Sequence, residues 1–242
     1  NLGRTETTRI LVATSGDTGK AALAGYAGLP GIEIEVFYPD AGTSEIQRLQ
    51  MATQAGDNVS VYAVNGNFDD AQTGVKRVFG DASVAEELEK RNICLSSANS
   101  INWGRLVPQI VYYFYAYFRL VEQGNVAGAQ PVDFCVPTGN FGDILAGYYA
   151  KQMGLPVGKL VCASNKNNVL TDFIKTGTYD ARRTFYKTTS PSMDILISSN
   201  LERLLYHVSG SSAKVAGWMA DLAKTGMYTV DAETLARIPH FF

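Results

Sequence analysis

Apolar and polar positions along this chain follow two periods in turn. Short apolar runs at 10–13, 32–38, 59–64, 93–96, 132–136 and 160–163 read as strands. Longer stretches with helical spacing lie between them. Ser44 with Gln47 three residues on predicts a capping box and a helix that closes at Gly56. Asn67 caps the next helix, with acidic residues in a first turn that suits the macrodipole. Ser83 with Glu86 predicts another capping box, and Glu86–Lys90 and Glu87–Arg91 are i,i+4 pairs on a solvated face. An aromatic helix over 101–122 ends at Gly124, and helical stretches return at 201–207, at 212–224 and after Asp231. Strands separated by helices predict βαβ units and an α/β fold with parallel sheets. Residues 125–131 read as a linker, so the expected lobes are 1–124 and 131–242.

Two polar loops stand out against this pattern. Pro137-Thr138-Gly139-Asn140-Phe141-Gly142-Asp143 follows a strand and opens a helix. Its glycines allow a tight turn that exposes several N–H groups at a helix N-terminus, which is how a backbone cradles phosphate. The same residues also fit a plain strand-to-helix turn, with Asn140 as N-cap and Asp143 at N3. Thr14-Ser15-Gly16-Asp17-Thr18-Gly19 repeats the arrangement near the start, with Ser15 or Asp17 placed to cap. The echo runs on: Leu23-Ala24-Gly25-Tyr26 and Gly28-Leu29-Pro30 match Leu145-Ala146-Gly147-Tyr148 and Gly154-Leu155-Pro156. Two such units put both loops at the carboxyl ends of strands, where open α/β sheets bind ligands, and suggest a cleft between two lobes. A chance echo of common α/β turns is the alternative. A third polar cluster, Ser96 to Asn102 with Arg105, follows the fourth strand and suits either helix capping or an anionic ligand.

Composition narrows the function. With 46% hydrophobic and 18% charged residues the chain is globular, and a net charge of −2 gives no electrostatic reason to expect nucleic acid or an anionic membrane. The aromatic run at 107–121 is shorter than the roughly 20 apolar residues of a membrane span. Cys94, Cys135 and Cys162 lie in or beside strands and, with two distant histidines, form no metal-ligand spacing; buried free thiols in a reducing cytosol are expected. Gly16 to Ala21 lacks Walker spacing, and no G-x-G-x-x-G, nucleophile elbow or H-E-x-x-H is present.

Thr14-Ser-Gly-Asp-Thr-Gly19, Ser97-Ala-Asn-Ser-Ile-Asn102, Pro137-Thr-Gly-Asn-Phe-Gly-Asp143 and Ser192-Met-Asp194 with Ser199-Asn-Leu-Glu-Arg203 together resemble the threonine synthase family, in its longer bacterial and fungal type. The resemblance covers most of the chain and weakens after about Gly210. It implies the tryptophan-synthase-β-like fold of pyridoxal phosphate (PLP) enzymes, with two α/β lobes, incomplete here. It implies conversion of O-phospho-L-homoserine and water to L-threonine and phosphate. On that resemblance Gly139, Asn140, Phe141 and Gly142 hold the cofactor phosphate. Ser15, Gly16, Asp17 and Thr18 receive the substrate carboxylate and the cofactor edge, and Asn99, Asn102 and Arg105 are candidates for the substrate phosphate. The family's Schiff-base lysine precedes the first glycine loop, and no lysine stands before Lys20 in this sequence. Lys20 itself reads as a solvated charge. The chain is therefore expected to be a nearly inactive, self-associating piece of a cytoplasmic enzyme. Another PLP-dependent lyase, such as a serine or threonine dehydratase, and a non-catalytic anion-binding module are the alternatives.

Overall fold

The computed structural model describes residues 5–14, 16–40 and 42–242. It forms two compact units, divided between Asn102 and Trp103.

The first unit is built on a four-stranded sheet of β1 (Thr7–Ala13), β2 (Ile32–Pro39), β3 (Val59–Val64) and β4 (Ile93–Ser97), in the order β3-β2-β1-β4. Every pair is parallel, with Ile10 opposite both Ile34 and Ser96. Four helices accompany the strands: α1 (Asp17–Tyr26), α2 (Glu45–Ala52), α3 (Phe68–Gly80) and α4 (Ala82–Lys90). Alternate side chains of β1 enter opposite cores, as a period of two requires. Ile10 and Val12 join Leu23, Ile34, Val36 and Met51, while Leu11 and Ala13 join Ala71 and Val75. Both faces of the central strand are thus covered, as in α/β sheets generally. Each fully buried aliphatic side chain contributes about 2 kcal/mol.

Local capping follows the sequence in part. The Ser44 hydroxyl accepts from the Gln47 N–H at 3.3 Å, but the Gln47 amide does not close the box: it reaches instead to Asp17. Asn67 and Asp70 form a complete capping box. Ser83 is not a cap. Asp81, two residues earlier, accepts from the Ser83 and Val84 N–H groups, and hydrogen bonds hold its carboxyl below the usual carboxylate range. The Ser83 hydroxyl is spent on the same carboxylate, to which it donates at 2.6 Å.

The second unit contains α5 (Trp103–Glu122), β5 (Val132–Pro137), α6 (Gly142–Gln152), β6 (Val157–Ala163), α7 (Val169–Thr176), β7 (Thr178–Asp180), α8 (Leu201–Ser209), α9 (Ser212–Thr225), β8 (Met227–Thr229) and α10 (Ala232–Arg237). β5 and β6 pair in parallel, and β7 and β8 antiparallel. The boundary differs from the expected linker at 125–131 because α5 packs on α6. Tyr113 lies against the Gly147 position, and Leu106, Tyr113 and Tyr117 enter the same core as Leu145, Leu160, Leu204 and Leu205. The expectation of buried thiols fails at Cys135, which is exposed on the outer face of the β5–β6 pair; Cys94 and Cys162 are half-buried.

Candidate functional site

Ser15 lies outside the described residues. Around it, the turn after β1 is organised by Thr14, a residue whose role the sequence did not show. Thr14 is buried, and its hydroxyl accepts from the N–H groups of Gly16 and Gly19, each at 3.0 Å. No side chain caps α1 at Gly16, the residue that precedes it. Gly16 has φ of 156°, open to glycine alone, and a Cβ there meets the Gln47 amide at 2.3–2.5 Å. Asp17 is exposed, and its carboxylate accepts from Gln47 Nε2 at 2.6 Å. The N–H groups of Asp17 and Thr18 meet no acceptor among the described residues, as expected for a first helical turn. Lys20 is not a free surface charge, because its ammonium donates to the Gln54 side-chain carbonyl.

The cluster after β4 sits beside this turn, because parallel neighbours end on the same edge of the sheet. Asn99 is buried and pairs with both polar groups of Ala13, accepting from its N–H at 2.9 Å and donating to its carbonyl at 2.6 Å. It acts as one more rung of the sheet, tying the β4 turn to the end of β1. Asn102 donates to the Ser97 carbonyl at 2.6 Å. Arg105 stands exposed in the first turn of α5, in the second unit.

The loop after β5 departs from the plain turn. Asn140 is not the cap of α6; Phe141 is, with φ of 65° in the left-handed region. For a bulky residue that conformation costs about 1–3 kcal/mol, and surrounding contacts must enforce it. Phe141 is buried and packs edge-on against Phe242, ring centroids 6.1 Å apart. A distant segment holds the loop from behind. Ser198 Oγ donates to the Gly139 carbonyl at 2.7 Å, and the Asn200 N–H and Nδ2 both donate to the Asn140 carbonyl at 3.0 Å. A Cβ on Gly139 meets Ile195 Cδ1 at 3.0 Å and the Met193 Cα at 3.3 Å, so a larger residue there requires the segment to give by a few tenths of an ångström.

That segment is anchored by Asp194. Its carboxylate accepts from Asn165 Nδ2 at 2.8 Å, Asn167 Nδ2 at 3.0 Å, Thr188 Oγ1 at 2.7 Å and the Thr188 N–H at 2.8 Å. The sequence signal for this knot was Ser192-Met-Asp194, one of the motifs that carry the family resemblance.

The N–H groups of Gly139, Asn140, Phe141, Gly142 and Asp143 find no acceptor among the described residues. At the positive end of α6 such donors are suited to an anion. Asp143 sits in the same turn, but its carboxylate takes the Tyr113 hydroxyl at 3.2 Å while the same hydroxyl donates to the Asp143 carbonyl at 2.8 Å. Desolvation raises the Asp143 pKa, against the lowering effect of the Tyr113 hydrogen bond. Burial, with the Asp143 charge adding to it, pushes the Tyr113 hydroxyl far up. Among the described residues no group of His, Cys, Asp and Glu is arranged to hold a metal, and no helix is long and apolar enough to cross a membrane.

A family model described as pyridoxal-phosphate dependent enzyme matches residues 2–237. The chain is 50% identical over 213 residues to human threonine synthase-like 1, covering 85% of this chain and 29% of that protein. It is 43% identical over 243 residues to threonine synthase of Saccharomyces cerevisiae, covering 96% of this chain and 46% of that protein. PLP-bound threonine synthase from Brucella melitensis superposes with a TM-score of 0.84 at 43% identity, covering 98% of this chain and 49% of that one. The chain thus spans less than half the length of each of these relatives. Its fold is theirs, the tryptophan-synthase-β type.

Proposed function

This chain belongs to the family of pyridoxal-phosphate dependent enzymes, and from that premise we propose that it serves a threonine synthase, converting O-phospho-L-homoserine and water to L-threonine and phosphate. The observation that carries the reading is the loop after β5. It offers a row of unclaimed backbone donors at a helix N-terminus in a chain whose relatives include a PLP-bound threonine synthase.

The residues present fit the cofactor's phosphate. Gly139, Asn140, Phe141 and Gly142 supply N–H donors without a side chain in the way, and the dipole of α6 favours the dianion. When bound, PLP supplies an electron sink for carbanions next to the substrate's amino group. Ser15, Gly16, Asp17 and Thr18 receive the substrate carboxylate and the cofactor edge, Asp17 and Thr18 doing so from the first turn of α1. By the family resemblance Arg105 is a candidate for the substrate phosphate, a group that suits a guanidinium fork. In the first unit Asn102 is a separate candidate for the same group, and Asn99 supports it indirectly, by fixing the turn to β1. No lysine of this chain is assigned to covalent cofactor attachment. Three cysteines without a disulfide favour a reducing cytoplasm as the setting.

The test is binding of PLP against pyridoxal, followed by borohydride reduction and peptide mapping. Phosphate-dependent binding with no lysine labelled selectively is the expected result. Stoichiometric labelling of Lys20 overturns the assignment of roles.

Self-association belongs to the same reading. Val107, Val111, Tyr115 and Phe118 recur at helical spacing along α5 and are 40–67% exposed, forming an apolar stripe suited to a second copy. Sedimentation velocity is expected to show the mass rising with concentration. A monomer at every concentration removes this element.

A further inference from the structure

We propose that Asn200 and Ser198 are positioning residues that aim the phosphate-binding N–H groups of Asn140 and Phe141, and that Arg203 sets the orientation of Asn200. This rests on the reading of the 139–142 loop as a phosphate cradle and assigns work to residues that do not touch the ligand.

The argument is geometric. In a planar trans peptide the carbonyl of one residue and the N–H of the next point in opposite directions. Among the described residues no peptide is cis. Fixing the Gly139 carbonyl therefore fixes the Asn140 N–H on the other side of the backbone, and fixing the Asn140 carbonyl does the same for the Phe141 N–H. Ser198 Oγ takes the first carbonyl at 2.7 Å. Asn200 takes the second twice, through its N–H and its Nδ2, both at 3.0 Å. The freed donors face away from the 198–200 segment, where an anion can reach them.

Asn200 is fully buried, and its amide has one useful orientation. Arg203 Nη1 donates to Asn200 Oδ1, which leaves Nδ2 turned toward the Asn140 carbonyl. A flipped amide would set its oxygen against that carbonyl. Ser199 Oγ adds a bond to Asn140 Oδ1 at 3.2 Å and keeps that side chain clear of the donor row. Tyr179, also buried, steadies the approach by accepting from the Ser198 N–H and donating to the Leu196 carbonyl, each at 2.8 Å.

The experiment is a titration of the ¹⁵N-labelled chain with inorganic phosphate, then with PLP and pyridoxal, read at the backbone amides of residues 140–142. In the unaltered chain phosphate is expected to shift the Asn140, Phe141 and Gly142 resonances. Asn200→Ala removes Nδ2 but keeps the backbone N–H on the Asn140 carbonyl, so it should weaken phosphate about threefold and reduce the shift at Phe141. Ser198→Ala, on a half-buried residue, should act mainly at Asn140 with little change in the melting midpoint; it decides the matter if Asn200→Ala unfolds. Equal phosphate affinity and equal shifts in the variants overturn the proposal, as does an unaltered chain whose loop amides ignore phosphate. Loop shifts that respond to phosphate and to both substitutions, with PLP binding no tighter than phosphate alone, support the positioning role and count against the PLP reading.

Discussion

Gly147→Ala is expected to destabilise the second unit by about 2 kcal/mol, and Gly147→Val by about 3 kcal/mol or more. The sign is what makes the result informative. Alanine in place of a helical glycine ordinarily gains up to about 1 kcal/mol. Here a Cβ meets Tyr113 Cε1 at 2.6 Å, Tyr113 Cζ at 2.7 Å and Leu160 Cδ2 at 2.9 Å. Neither neighbour yields easily, because both are buried and the Tyr113 hydroxyl is tied to Asp143. Gly25, the matching position in the sequence echo, has nothing within 4 Å of a Cβ. Gly25→Ala should therefore be neutral or stabilising. Urea unfolding of both variants checks the contrast, and Tyr113→Leu should recover part of the loss at Gly147 by vacating the space.

Asp194→Ala is expected to cost about 3 kcal/mol, since it leaves the Thr188 N–H without its acceptor and removes the carboxylate that Asn165, Asn167 and the Thr188 hydroxyl share. The loss should be uneven. Residues 181–199 contain little regular structure beyond one turn at Pro191–Met193, so their order depends on this knot. Limited proteolysis should cut within 181–199 in the variant long before the rest of the chain. Phosphate binding should fall with it, because Ser198 and Asn200 lie at the end of the same segment. Uniform cleavage across both units would show that the knot has no special hold on this stretch.

The strands were legible in the sequence because their signal is local. All six apolar runs became strands, with only end residues shifted. Both glycine loops open helices as the pattern indicated. The failures have a common cause in competition between partners at a distance. Ser83 looked like a cap until its hydroxyl and N–H were both tied to Asp81, from which the helix starts two residues earlier. Asn140 looked like a cap until Ser199 and Asn200 occupied its side chain and carbonyl, leaving Phe141 to turn the chain in a conformation that side chains rarely adopt. The α5 helix was plain, but not which of its aromatic faces is buried, and that choice moved the unit boundary to Asn102. Asn99 was found as a polar residue at the ligand-facing edge; that its amide is spent on Ala13 appears only when β1 and β4 lie side by side.

The left-handed Phe141 has a consequence for how fast the loop can act. Its backbone is set by the packing of its own ring and by Asn200, both present once the chain has folded. The entropy of arranging the donor row is lost during folding rather than on encounter with a ligand. An anion therefore meets a surface already in its final form, and capture should approach the diffusional rate without a slower closing step.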